Sequence, residues 1–274
     1  QKKALERRDE AIVELKRAFE ESEYREDIGL ELAQIYDRLE RYDEAEVLFK
    51  DMTKGKEPSR NALAKAGHYL ASRGKIDDAA AIGETLLTRD EQDPAGLFLT
   101  AEKLLQDGKV ADARDRFIEA TTLEALPIYF EGLGRAHVEL KEMNEAIHAY
   151  ERSIKEDPQL LEPRKGLAEV RFLRREYSLV VDVLEKALTI DDRDPELHYL
   201  KGKSYLEMRN EKDAIAALQI AVAKDPKHGK SYLALGKAFT ALEKKKDAIR
   251  SLTRATQTLA PDSPELTEAF MKLG

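Results

Sequence analysis

The sequence predicts an all-α solenoid, a row of antiparallel helical hairpins, and three observations carry that reading. A short motif recurs at 34-residue intervals, columns of Ala and Gly keep its phase, and the composition suits helices. Of 274 residues 36% are charged and only 7% aromatic, with 14 Gly, 9 Pro, no Cys and no Trp, which argues against sandwiches, barrels and collagen. Without cysteine there is no disulfide framework, zinc–thiolate site or thiol nucleophile, and the compartment stays open between the cytoplasm, which is favoured, and the periplasm. No apolar run approaches the roughly 18 residues of a bilayer span, so membrane insertion by this segment is not expected. The segment opens on Gln1, already in charged helical sequence, and is expected to be part of a longer chain.

The elements follow in order from the repeat. Residues 1–25 hold DEAIVEL (9–15), the second helix of a pair without its first. Full repeats are expected at 26–59, 60–93, 94–126, 127–160, 161–194, 195–228 and 229–262, with a partial first helix at 263–274. The motif returns as DEAEVLF (43–49), DDAAAIG (77–83), ADARDRF (111–117), NEAIHAY (144–150), the divergent SLVVDVL (178–184), KDAIAAL (212–218) and KDAIRSL (246–252). In each repeat the first helix, A, carries a small residue: Ala33, Gly67, Ala101, Gly134, Ala168, Gly202 and Gly236. The second helix, B, answers with Ala45, Ala79, Ala113, Ala146, Ala214 and Ala248, and Ala11 holds the same place in the leading helix. Small side chains at both places let two helices cross closely. A third small column, Ala18, Ala120, Ser153, Ala187, Ala221 and Ala255, is expected to face the next helix A, while Phe49, Phe117, Tyr150, Leu184, Leu218 and Leu252 fill the space between layers. Gly74 and Gly108 fall where helix A must turn back, and suit the left-handed conformation that ends it.

These residues carry a resemblance. The 34-residue period, a small residue at position 8, Ala at 20, an aromatic or Leu at 24, a small residue at 27 and Asp-Pro near the end (Asp157-Pro158, Asp225-Pro226) resemble the tetratricopeptide repeat over nearly the whole chain. The resemblance implies a right-handed α-solenoid of helix-turn-helix repeats, a single domain over 1–274, acting as a non-enzymatic scaffold that binds a peptide or helix of a partner protein along its concave, A-helix face. Self-assembly through the solenoid ends or the convex face is the alternative. The sequence departs from the family pattern at 161–194, where Arg164 and Arg171 stand at usual aromatic positions and Val180 replaces Ala. A clamp for a peptide carboxylate, as some relatives have, would need Lys165 with two asparagines, but Glu169 and Leu200 occupy those places. The asparagine ladder of other relatives is absent as well, since position 6 holds Glu31, Lys65, Leu99, Gly132, Gly166, Leu200 and Ala234.

No catalytic chemistry is expected. The stretch AKDPKHGKS (223–231) resembles a loose phosphate-binding loop, but such a loop follows a strand, and Pro226 lacks one of the N–H groups a phosphate nest needs. The histidines at 68, 137, 148, 198 and 228 show no metal-ligand spacing, and His137 is expected in the core. Acid pairs such as Asp77-Asp78 suit helix starts. No cofactor or metal is predicted. Residues 1–194 carry net −12 and residues 195–274 net +4, too little and too dispersed for a nucleic-acid backbone, so no nucleic-acid partner is expected.

On helix A, positions 2, 5, 9 and 12 share a face. This places Phe98, Glu102 and Leu105, then Arg135, then Lys165, Glu169 and Phe172, then Tyr199, Lys203 and Leu206, and finally Leu233 and Lys237 on the expected groove. Apolar side chains left open there would anchor a ligand peptide, with the anchor across Phe172 and Tyr199 and with Lys165 and Lys203 beside them for acidic groups. Burial between neighbouring A helices is the competing reading.

Overall fold

The computed structural model describes residues 2–22, 25–53 and 57–273, with side chains from residue 10 onward. The side chain of Asp9, in the first copy of the motif, and Gly274 lie outside the described residues. Among the described residues there are sixteen α-helices and no strand, and no helix is long and apolar enough to cross a membrane. The chain divides into two compact units, Gln1–Leu140 and Lys141–Gly274.

The first unit contains α1 (Lys2–Glu21), α2 (Glu26–Arg38), α3 (Tyr42–Met52), α4 (Arg60–Ser72), α5 (Ile76–Arg89), α6 (Pro94–Gln106), α7 (Val110–Leu123) and α8 (Pro127–Glu139). Each packs on the next, and α4, α6 and α8 also touch laterally, one repeat apart. The second unit contains α9 (Met143–Glu156), α10 (Glu162–Leu173), α11 (Tyr177–Ile190), α12 (Pro195–Glu207), α13 (Glu211–Lys224), α14 (Gly229–Ala241), α15 (Lys245–Thr258) and α16 (Pro264–Leu273). The pattern is the same, with lateral contacts from α12 to α14 and from α14 to α16.

The small columns lie where helices cross. Ala45, Ala79, Ala113, Ala146 and Ala214 have no exposed surface, nor have Ala120, Ser153, Ala187, Ala221 and Ala255. A methyl group on Gly202 would strike the Leu218 side chain at 2.5 Å and the Ala214 carbonyl oxygen at 3.2 Å, so the spacing of α12 and α13 depends on its absence. The leading helix departs from the column. Ala11 is exposed and Ala18 half-buried, and α1 packs through Ile12 and Phe19, which join the buried cluster with Leu32 and Met52. Val180 is accommodated, fully buried with Ala168 and Leu184 in one cluster.

Helix A ends by one device throughout. Gly74 and Gly108 have φ of 73° and 77°, and Glu40, Lys141, Arg175, Arg209 and Glu243 take φ between 57° and 62° in the same place in their repeats. Around Gly74 the amide of Lys75 donates to the Leu70 carbonyl and that of Gly74 to Ala71, which closes the last helical turn. Equivalent bonds run from Arg41 to Tyr36, Glu176 to Arg171, Asn210 to Tyr205 and Lys244 to Phe239.

Candidate functional site

The sequence-predicted face does not behave uniformly, and position 5 is where it fails first. Phe98 is 1% exposed and Leu233 3%, so neither stands on an open wall. Phe98 lies between α4 and α8, its ring edge-on to His68 (centroids 5.3 Å apart) and tilted against Tyr129 (5.0 Å). Neighbouring A helices approach closely enough to bury a position-5 side chain. Glu102 is corrected too: it is buried, and its carboxylate pairs with Arg135 of the next helix A, which also reaches Glu131 at 3.4 Å. Leu105 stays half-buried. In the first unit the predicted groove residues are therefore mostly structural.

An unpredicted network sits beside them. His68 and the Tyr129 hydroxyl are 3.3 Å apart, and Arg60 at the start of α4 bonds Asp93 at 2.7 Å, while Asp93 also caps α6 through the Gly96 amide at 2.9 Å. Burial first, and then the nearby Arg60, push the His68 pKa down to about 4, with Asp93 opposing. His137, as expected, is buried. Segment 223–231 runs from the end of α13 into α14, where His228 Nδ1 accepts the Ser231 amide at 3.3 Å as the helix cap.

The second unit keeps more of the face open. Phe172, Tyr199 and Leu206 are half-buried, as are Lys203 and Lys237 at position 9 of α12 and α14. The lysines are engaged rather than free. Lys165 bonds Glu162 and Asp194, both at 2.9 Å, Lys237 pairs with Glu268 at 2.7 Å, and Lys203 Nζ stands over the Phe172 ring at 4.6 Å. For Lys165 burial works against the charge, but those two carboxylates outweigh it and the pKa is raised. Arg171 and Lys201 reach outward to Glu151 and Glu185 at 2.6 and 3.0 Å.

What remains on this face is carboxylate. Glu169 is exposed, yet desolvation beside the packed helices, then Glu196 and Glu162, raise its pKa. Burial, followed by Glu196, Glu265 and Glu268, pushes Tyr199 up to about 12. Glu196 Oε1 lies 3.0 Å from His228 Nε2, and the His228 ring tilts against Tyr199 at 5.3 Å. The sequence reading missed Glu196, Glu265 and Glu268; Glu162 and Glu196 share position 2 of helix A, a signal visible in the repeat alignment.

Comparison with known proteins bears on the fold. Two family models, both described as "Tetratricopeptide repeat", match the chain, one over residues 64–125, 98–160 and 199–264 and the other over 4–66. No curated protein matches. Among solved structures, the Cut9–Hcn1 hetero-tetramer of the APC/C superposes with a TM-score of 0.70 at 14% identity, covering 97% of this chain and 52% of that one. YrrB, "a TPR protein with an unusual peptide-binding site", gives 0.60 at 17% identity over 69% of this chain and 97% of that chain. MamA (41-end) from Desulfovibrio magneticus RS-1 gives 0.58 at 23%, over 62% and 98%. Tetratricopeptide repeat proteins mediate protein–protein interactions and are typically non-catalytic. With helix pairs packed in sequence, the small residues at the crossings and one family matched over more than half of its length, the chain belongs to the tetratricopeptide repeat family.

Proposed function

We propose that the chain is a non-enzymatic scaffold, and that the A-helix face of its second unit holds an apolar segment of a partner protein carrying a Lys or Arg. The observation behind this is the row of Phe172, Tyr199 and Leu206, half-open to water and flanked by the unengaged Glu169. Half-buried aromatics gain most from being covered, and a cation set against Glu169 would fix the register. This reverses the expected ligand charge, because Lys165 and Lys237 already have carboxylate partners and Lys203 covers Phe172. A peptide library panned on the folded chain tests it. Recovered sequences should combine apolar and basic residues, and Phe172→Ala or Tyr199→Ala should weaken them by about 1–3 kcal/mol with helicity unchanged. Peptides that bind both variants undiminished would remove the site from this face.

Self-association is the second reading, favoured by Phe270 and Met271, 58% and 78% exposed on α16. Light scattering should then show an assembly that Phe270→Ser with Met271→Ser dissolves.

A further inference from the structure

On the opposite side of the second unit, the B helices α9 and α11 leave a furrow of about 360 Å³ whose floor is α10. The first unit has furrows in the same register, between α1 and α3 over α2 and between α5 and α7 over α6. They differ in what the floor offers. Position 11 is Tyr36 over α2 and Leu104 over α6, but Arg171 over α10, and Arg164 lies about two turns further toward the start of that helix.

The two arginines are not equivalent. Arg171 is held by Glu151 and Glu176, at 2.6 and 3.1 Å, and its buried Nε has no hydrogen-bond partner. Arg164 is 7% exposed and makes one hydrogen bond, from Nη1 to the Leu160 carbonyl at 2.7 Å. Among the described residues no carboxylate pairs with it. The rest of its guanidinium fork is left for whatever enters the furrow. A buried cation with no directly paired carboxylate is unfavourable, and an apolar side chain of similar volume would serve the fold as well or better. Burial lowers the Arg164 pKa, with Asp157 only partly offsetting it. The exposed Asp182 and Lys186 balance each other in charge, and the apolar lining comes from Ile154 and Val183 on the walls and Leu167 on the floor.

We propose that this furrow is a binding site for a carboxylate on a short apolar body, of the size of an N-acylated amino acid or the last residue of a peptide, with Arg164 as the group that receives the carboxylate. The volume lies in the range of small-ligand pockets, a guanidinium matches a carboxylate with two parallel hydrogen bonds, and the walls cover the apolar part. The site is separate from the A-helix face and does not depend on it.

The probe is N-acetyl-L-leucine as its sodium salt, titrated against the folded chain and followed calorimetrically and by melting temperature. N-acetyl-L-leucinamide and sodium chloride at matched ionic strength serve as controls. Saturable binding of the acid alone is expected. Arg164→Leu should weaken it by about tenfold or more. The same variant, without ligand, should melt no lower than the parent, as expected for a charge kept for binding rather than for folding. A tetrapeptide ending in the same leucinate separates the two sources: tighter binding with length points to a polypeptide terminus, equal binding to a free small acid. No saturable binding, equal binding of the amide, or undiminished binding to Arg164→Leu would each overturn the proposal.

Discussion

His68 shows what a single side chain adds to this fold. Its ring is edge-on to Phe98 and Tyr129, and burial holds its pKa near 4 against an ordinary 6.5. Above pH 6.5 the ring is neutral whether the chain is folded or not, and nothing is lost. Between 6.5 and 4 the unfolded chain takes up a proton that the folded chain refuses, so stability falls as pH drops through that window and then levels off. The full loss is roughly 3 kcal/mol. Denaturant titrations of the parent and of His68→Phe from pH 7 to 4 should show a steeper decline in the parent, and parallel curves would contradict the assignment. None of this was legible in the sequence, because His68 touches Tyr129, 61 residues away, and a repeat alignment compares equivalent positions without showing which ones meet. For the same reason the sequence left Phe98 between two readings, open wall or burial: the helical period shows which side of a helix a residue occupies, but not how near the next helix A stands.

At the scale of helices and turns the sequence was far more readable. Period, small columns and hairpin turns all follow from residue size, and every full repeat has its two helices. Replacing Ala214 by Leu should overpack a crossing that leaves no exposed surface and destabilise by about 1–3 kcal/mol, read as a drop in denaturation midpoint; an unchanged midpoint would refute the crossing. The turns were legible only where they carry glycine. Five other repeats force an ordinary side chain into left-handed backbone, which costs roughly 1–2 kcal/mol per residue in L-amino acids. Arg209→Gly and Glu243→Gly are therefore expected to raise the melting midpoint modestly, after glycine's greater freedom in the unfolded chain is subtracted. A fall in both midpoints would mean that those side chains hold their turns by contacts worth more than the strain.

For the whole molecule, a solenoid is stabilised by neighbours, so parts of it should survive alone. Residues 141–274, expressed as a separate chain, should be helical and unfold cooperatively, as should 1–140, each by circular dichroism during heating. Loss of helicity in both would mean that neither core is sufficient. The division at 140 lies inside the repeat 127–160, where no break in the sequence pattern announces it.

One packing detail bears on how such a chain can be cut and rejoined. Position 24 of one repeat meets position 6 of the next: Phe117 fills the space over Gly132, Tyr150 that over Gly166, and Leu218 lies with Ala234. Where the order is reversed, Gly83 is met by Leu99 instead. Large is answered by small across these four borders, while Leu184 and Leu200, large on both sides, share one cluster at another. The heritable module is thus not the 34-residue motif but helix B together with the helix A that follows it. Recombination between motifs would separate such a bulky residue from the hollow that fits it, placing a ring such as Phe117 against Leu99, or Gly83 against Gly132. Recombination at the hairpin turn would carry the matched pair across intact. A duplication that lengthened this array would keep its packing from one starting phase and disrupt it from the other.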